Sequence, residues 1–158
     1  MAKDEAPLKI TVRNLQRTVA VNVIDLEKFA AKAARICLQI HKNKSTDLTK
    51  VCEILVLLIS DRRMASLHRQ FLREFGPTDV MTFQHGEIFI SAQTARHHAR
   101  RFGTSLAREL RLYVVHGLLH LHGFDDRSEV DARKMKKVQK EILGQVDLSR
   151  RSLSVEFR

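Results

Sequence analysis

The sequence predicts an α+β domain: a mixed four-stranded sheet, three strands parallel and one antiparallel, with about five helices packed on it. Three observations lead there. Strand-like and helix-like stretches alternate along the first half of the chain, which implies right-handed crossovers and parallel neighbours. The run Val51–Ser60 (VCEILVLLIS) is almost wholly apolar and rich in branched residues, as in a strand buried on both faces. Two further strand-like runs flank Gln84-His85-Gly86, a gap short enough for a hairpin, so one strand must run antiparallel.

The elements follow in order. Lys9–Asn14 (KITVRN) is β-rich and alternating. From Asp25 to His41, Leu26, Phe29, Ala30, Ala33, Ile36, Cys37 and Ile40 recur at spacings of three and four, a helical stripe with Asp25 as its expected N-cap. A polar linker, Lys42–Lys50, leads into the apolar strand. Arg62–Phe75 has a helical pattern that Gly76-Pro77 stops. Val80–Phe83 and Glu87–Ser91 form the hairpin strands, and a basic helix over Ala92–Phe102 ends at Gly103. The next helix starts at Thr104 or Ser105 and runs to Leu121, ahead of Gly123. A last one spans Glu129–Leu143 on Val130, Met135, Val138 and Ile142, and the chain from Gly144 is expected to be loose. The domain is thus assigned to residues 1–147, with 148–158 as a flexible tail.

Composition narrows the function. The 158 residues are 44% hydrophobic, sufficient for a core, and 28 Lys and Arg against 18 Asp and Glu give a net charge of +10. Such a balance points to an anionic partner, RNA, DNA or an acidic membrane surface. Cys37 and Cys52 are too few for a disulfide framework and read as core fillers. The acidic start lacks the apolar segment of a secretory signal, and the longest apolar run, Ile54–Ile59, is too short to span a bilayer. A cytoplasmic protein with no membrane partner is expected.

The chemistry concentrates in Tyr113–Arg127 (YVVHGLLHLHGFDDR). His116 and His120 lie four apart, only about 40° around a helix, so both imidazoles leave one face and can share a metal ion. Leu112, Val114, Val115, Leu118, Leu119 and Leu121 make that helix mostly buried, where an unpaired imidazole is costly. Two satisfied core histidines, with Asp125 or Asp126 capping the last helix, would fit the spacing alone. The glycine turn at Gly123 and the acidic residues beyond it favour a metal, with Asp126, Asp125 or His122 as the third donor. His122, two positions past His120, points away if the helix persists.

The run HGLLHLHGFDD resembles the signature of the YbeY endoribonucleases, HGxLHLxG(Y/F)DH, whose three metal-binding histidines are spaced HxxxHxxxxxH. Pro77–Phe83 (PTDVMTF) is similar to that family's PTDVLSF, and Gly86–Ser91 (GEIFIS) to its GDIxIS. The likeness covers Asp61 to Gly144. It implies a metal site of His116, His120 and Asp126, the aspartate standing where the family has its third histidine. Zinc accepts both donor types, so one Zn2+, or another divalent transition metal, is the implied cofactor. The family's arginine ahead of PTDV falls on Leu72, with Arg73 beside it.

The resemblance implies a single-strand-specific, metal-dependent endoribonuclease acting in ribosomal RNA processing (16S rRNA 3′ end maturation) and ribosome quality control. Ribosomal RNA, the small ribosomal subunit and its assembly factors are the implied partners. His116 and Arg73 are the candidate catalytic residues, and Arg62, Arg69, Arg73, Arg96 and Arg100 the candidate RNA-binding ones. Between Ala92 and Arg111, five arginines face one acid, Glu109, so RNA affinity should fall steeply with salt. His97 and His98 read as exposed helix residues, and Thr78, Asp79 and Thr82 as shaping the cleft or starting a strand. With no tryptophan and one tyrosine, an open base-stacking platform is not expected. A non-catalytic ribosome- or RNA-binding protein with a weakened metal site is the second reading. A zinc metalloprotease is the third, disfavoured because Gly117 stands where HExxH enzymes carry their glutamate base.

Overall fold

The computed structural model describes residues 6–40, 42, 44–72 and 78–155. In chain order the elements are β1 (Lys9–Asn14), α1 (Val23–Gln39), α2 (Asp47–Lys50), β2 (Glu53–Ile59) and α3 (Asp61–Leu72), then β3 (Val80–Phe83), β4 (Glu87–Ser91), α4 (Ala92–Phe102), α5 (Leu106–Leu121) and α6 (Glu129–Val155). The sheet order is β1-β2-β4-β3, with β3 antiparallel to β4 and the other pairs parallel. The fold is the α+β architecture expected, with one more short helix, α2, in the polar linker. No helix among the described residues is long and apolar enough to cross a membrane.

Side-chain alternation along the strands divides the core in two. Val12, Ile54, Val56, Leu58, Ile88 and Ile90 face α1, α5 and α6, and form the main core with Phe29, Val114 and Leu118. Leu57, Ile59, Met81 and Phe89 face the other way and pack on Met64 of α3. The hairpin between β3 and β4 closes at Gly86, whose φ of +108° and position 2.5 Å (for a would-be Cβ) from the Glu53 carbonyl oxygen exclude any side chain. Gly117 permits an equally close approach elsewhere. A Cβ there would lie 2.7 Å from Ile88 Cγ2 and 3.0 Å from its Cδ1, so α5 rests directly on the sheet.

Several boundaries differ from the expected ones. Asn22, not Asp25, caps α1, accepting the Asp25 N–H at 3.1 Å. Asp25 instead sits in the first turn, where it accepts hydrogen bonds from Arg111 (2.7 Å) and Arg150 (2.8 Å). Cys52 is exposed, not a core filler, because it precedes the paired part of β2. Val130 is 69% exposed at the start of α6, whose buried stripe is Met135, Gln139, Ile142 and Val146. That helix does not stop near Leu143 but continues to Val155, so residues 148–155 are helical where a loose tail was expected. The positive-φ glycines of the described residues are Gly86, Gly103 and Gly123, so Gly144 does not break the helix. Buried Val146 and the Arg150–Asp25 pair hold the extension against α1. Residues 73–75 of the expected third helix lie outside the described residues.

Two measurements test this packing. Gly117→Ala should destabilise the fold by about 1–3 kcal/mol in urea denaturation, since overpacking against Ile88 outweighs the helix propensity gained. The Arg111 hydrogen bond, against an opposing effect of burial, and the charges of Arg111 and Arg150 hold the Asp25 carboxyl below its ordinary range. Its contribution is therefore present above the unfolded carboxylate value and lost as pH falls through the lower folded value. Asp25→Asn should cost roughly 1 kcal/mol at neutral pH and nothing at strongly acid pH, read from denaturation midpoints across pH.

Candidate metal centre

Helix α5 ends in a Schellman motif. The Gly123 N–H donates to the His120 carbonyl at 3.1 Å and the Phe124 N–H to the Leu119 carbonyl at 3.0 Å, with Gly123 at φ +87° and Phe124 buried. The chain thereby turns back along its own last helical turns. Asp125 then accepts the N–H groups of Asp126 (2.7 Å) and Arg127 (3.1 Å) on one carboxylate oxygen, so its side chain fixes the turn. Asp126, one residue on, is left to face the histidines. Ser128, rather than either aspartate, caps α6, accepting the Asp131 N–H at 3.1 Å.

The three side chains converge. His116 Nε2 and His120 Nε2 are 3.0 Å apart. Asp126 Oδ2 is 3.5 Å from the first and its Oδ1 3.8 Å from the second. One donor atom from each residue lies within 4.8 Å of the others. Tetrahedral coordination at about 2.0–2.1 Å separates donor atoms by roughly 3.4 Å, so this set fits one small divalent cation. Both histidines are partly buried and Asp126 is exposed at the rim.

The surroundings favour the ligand form of each imidazole. The side-chain amide oxygen of Gln139 on α6 lies 2.6 Å from His116 Nδ1. That oxygen can only accept, so Nδ1 carries the proton and Nε2 presents its lone pair to the cluster. Burial pushes the His120 pKa down and repulsion from His116, whenever that ring is protonated, adds to this, against the opposing pull of Asp126, a backbone hydrogen bond at Phe124, and Asp125. His120 therefore stays neutral to lower pH than an ordinary histidine, and protons compete for it less.

His122 takes no part in the cluster. It is 2% exposed, with Nδ1 2.9 Å from the Thr46 hydroxyl and Nε2 2.9 Å from the Ile40 carbonyl, and it ties the end of α5 to the segment after α1. His116 and His120 line a cleft of about 570 Å³ whose other walls include His68, Phe71, Leu72, Thr78, Thr82, Phe83 and Arg127. Asp79 is instead turned to the backbone, accepting the Val80 N–H at 2.9 Å. The basic residues singled out from the sequence lie elsewhere. Arg62 and Arg69 on α3 and Arg100 on α4 are exposed, and Arg96 reaches the Thr18 carbonyl at 3.5 Å. None of these four lines the cleft. Arg73 lies outside the described residues. His97 is exposed as expected, but His98 is half-buried because its Nδ1 bonds the Tyr113 hydroxyl.

Sequence reasoning missed Gln139, Arg127, His68 and Phe71. Gln139 carried a usable signal: it falls four residues after Met135 and three before Ile142, a polar side chain in an apolar stripe. The other three reach the cleft only through the packing of α3 and the turn after α5, which no local pattern reports.

Comparison with known proteins places this geometry in a lineage. The endoribonuclease YbeY family matches residues 11–147. The endoribonuclease YbeY of Pelotomaculum thermopropionicum is 32% identical over 158 residues, covering 90% of this chain and 100% of the relative. That of Thermus thermophilus is 37% identical over 102 residues, covering 57% of this chain and 73% of the relative. The solution structure of a Thermotoga maritima protein superposes with a TM-score of 0.62 at 27% identity, covering 93% of this chain and 95% of that one. The matched residues take in the His116–His120–Asp126 cluster and the strands and helices that position it, and the chain belongs to the endoribonuclease YbeY family.

Proposed function

We propose that this member of the endoribonuclease YbeY family cleaves single-stranded RNA with one Zn2+ held by His116, His120 and Asp126. The observation that carries the reading is the convergence of three donor atoms within 4.8 Å, two of them from histidines that line an open cleft. The finer assignment is to ribosomal RNA at the 3′ end of 16S rRNA and to ribosome quality control, with the small ribosomal subunit and its assembly factors as partners, in the cytoplasm. Residues 1–147 form the catalytic domain in this reading. The net charge of +10 and the signature shared with the family support it.

A divalent cation in the cluster supplies Lewis acidity toward a phosphoryl oxygen and acidifies water at neutral pH. The protein's part is to hold the donors at fixed separations and in their ligand forms. His116 is kept in the Nε2 lone-pair tautomer by Gln139, and Asp126 contributes a negative charge that offsets the cation. In the proposal Arg127, at the cleft wall, and Arg73 meet the phosphate charge. Arg62, Arg69, Arg96 and Arg100, outside the cleft walls, draw the RNA backbone to the protein surface.

One observation favours the second reading, a non-catalytic RNA-binding protein. Leu72, at the family's arginine position, lines the cleft and is 53% exposed, so that position offers no guanidinium. Gly117 weighs against a metalloprotease. Its would-be side chain meets Ile88 in the sheet, so a glutamate there would be buried in the core and not face the cleft.

Purification in zinc-containing buffer should yield one zinc per chain by elemental analysis, and the loaded protein should cleave single-stranded oligoribonucleotides. His120→Ala should lose the metal and lower cleavage by more than about 100-fold. Undiminished cleavage by that variant overturns the reading, and RNA binding with neither metal nor cleavage establishes the second one. Gln139→Leu, which keeps the volume but frees the His116 tautomer, should weaken metal affinity by about 10- to 100-fold in chelator competition.

A further inference from the structure

An aromatic side chain stands exposed in the same cleft as the two histidines. Phe71, near the end of α3, is 52% exposed, whereas Phe83 and Phe89 beside it are progressively more covered. Its ring meets Phe83 edge-on, with centroids 5.1 Å apart and planes at 75°. Phe83 in turn meets Phe89 edge-on at 5.6 Å and 82°. Such edge-to-face contacts favour one ring orientation, and about half of Phe71 remains exposed beside them. Phe89 belongs to the small core under α3, so the series runs from the sheet interior to the cleft wall. Phe71 and Leu72, both about half-exposed, share one cleft wall with Phe83, and such a contiguous apolar surface suits a ligand with an apolar face.

The cleft restricts what that ligand is. Its polar groups are the histidine pair, His68, Thr78, Thr82, Gln84 and Arg127, which suit a phosphate backbone, with one carboxylate, Asp47, also on its wall, while Phe71, Leu72 and Phe83 offer an apolar surface. A nucleotide presents both chemistries at once: an anionic phosphate and a flat base. We propose that Phe71 stacks an unpaired nucleobase next to the phosphate held at the metal cluster, and that this contact contributes the preference for single strands. A base inside a duplex already stacks on both faces and has none to offer a side chain, so the ring discriminates by the availability of a π-face. The stack tolerates any base, because all four have such a face, and it therefore selects strandedness rather than sequence. This inference rests on the RNA-cleaving reading for its substrate, and extends it by naming the nucleobase subsite.

The test uses the zinc-loaded full chain and two readouts. Binding is measured by fluorescence anisotropy with a cleavage-resistant 2′-O-methyl single strand, and cleavage with the corresponding RNA. Phe71→Ala should weaken binding and raise KM by roughly tenfold, with kcat within about twofold and metal content unchanged. Phe71→Trp should restore both, and Phe71→Leu, apolar but not aromatic, should restore neither. Moving one abasic nucleotide along the strand should identify a position at which wild type and Phe71→Ala bind alike. Equal affinity of wild type and Phe71→Ala for the intact strand overturns the stacking proposal, as does full rescue by leucine. Failure of the wild type to cleave RNA that it binds overturns the catalytic reading alone, since the binding ratio still judges Phe71. Absence of binding by any variant overturns both.

Discussion

The contact between Gly117 and Ile88 sets the orientation on which the candidate centre depends. Helix α5 approaches the sheet so closely at this point that no side chain fits between them. With position 117 turned to the sheet, the helix cannot roll about its axis without driving its neighbours into β4. Residues 116 and 120, adjacent on the helical surface, are thereby directed to the flank that opens on the cleft, and 114, 118 and 121 to the interior. The same glycine that a protease motif would replace with glutamate is thus a packing requirement. Its absence of a side chain says as much about helix–sheet distance as about catalysis.

A second constraint operates at the other end of the same turn. Gly123 reverses the chain, and the two aspartates that follow divide the work by backbone geometry alone. Asp125 has two N–H groups in reach of one oxygen and its carboxylate serves the turn. Asp126 has none of these bonds and its oxygens sit 3.5 and 3.8 Å from the imidazole nitrogens. Two identical residues in sequence are distinguished here only by the path of the chain.

This division shows what a sequence can and cannot report. The bounds of β1, β3, β4 and α4 follow from local signals: alternation, a three-residue hairpin gap, a serine cap and a left-handed glycine. The i, i+4 histidine pair is legible for the same reason, since helical geometry alone brings it together. The end of α6 was not legible, because Gly144 is a helix breaker only when its backbone turns left-handed, and long-range contacts at Val146 and Arg150 prevent this. Asn22 and Asp25 are equally good capping residues by sequence, and Asn22 takes the role because the Asp25 carboxylate is engaged by arginines from two other helices. Gln139 and Phe71 are tertiary facts: one is 23 residues from the histidine it orients, and the other meets the cleft through the packing of α3.

The distribution of charge bears on how such a surface handles a polyanion. Among the described residues the cleft itself carries one arginine, Arg127, and that side chain lies 3.6 Å from Asp125. The exposed arginines of α3 and α4 lie outside the cleft walls. Charge outside a cleft raises the local concentration of an anion and speeds encounter, but it fixes neither register nor orientation. Register must come from groups inside the cleft with directional or shape requirements, which here are the two histidines of α5, the threonines and the aromatic wall. A strand attracted over a broad basic surface and positioned by a small, weakly charged cleft has salt-sensitive association and a chemical step that is much less so. That separation follows from where the arginines fall on the fold, and it holds whichever RNA the surface attracts.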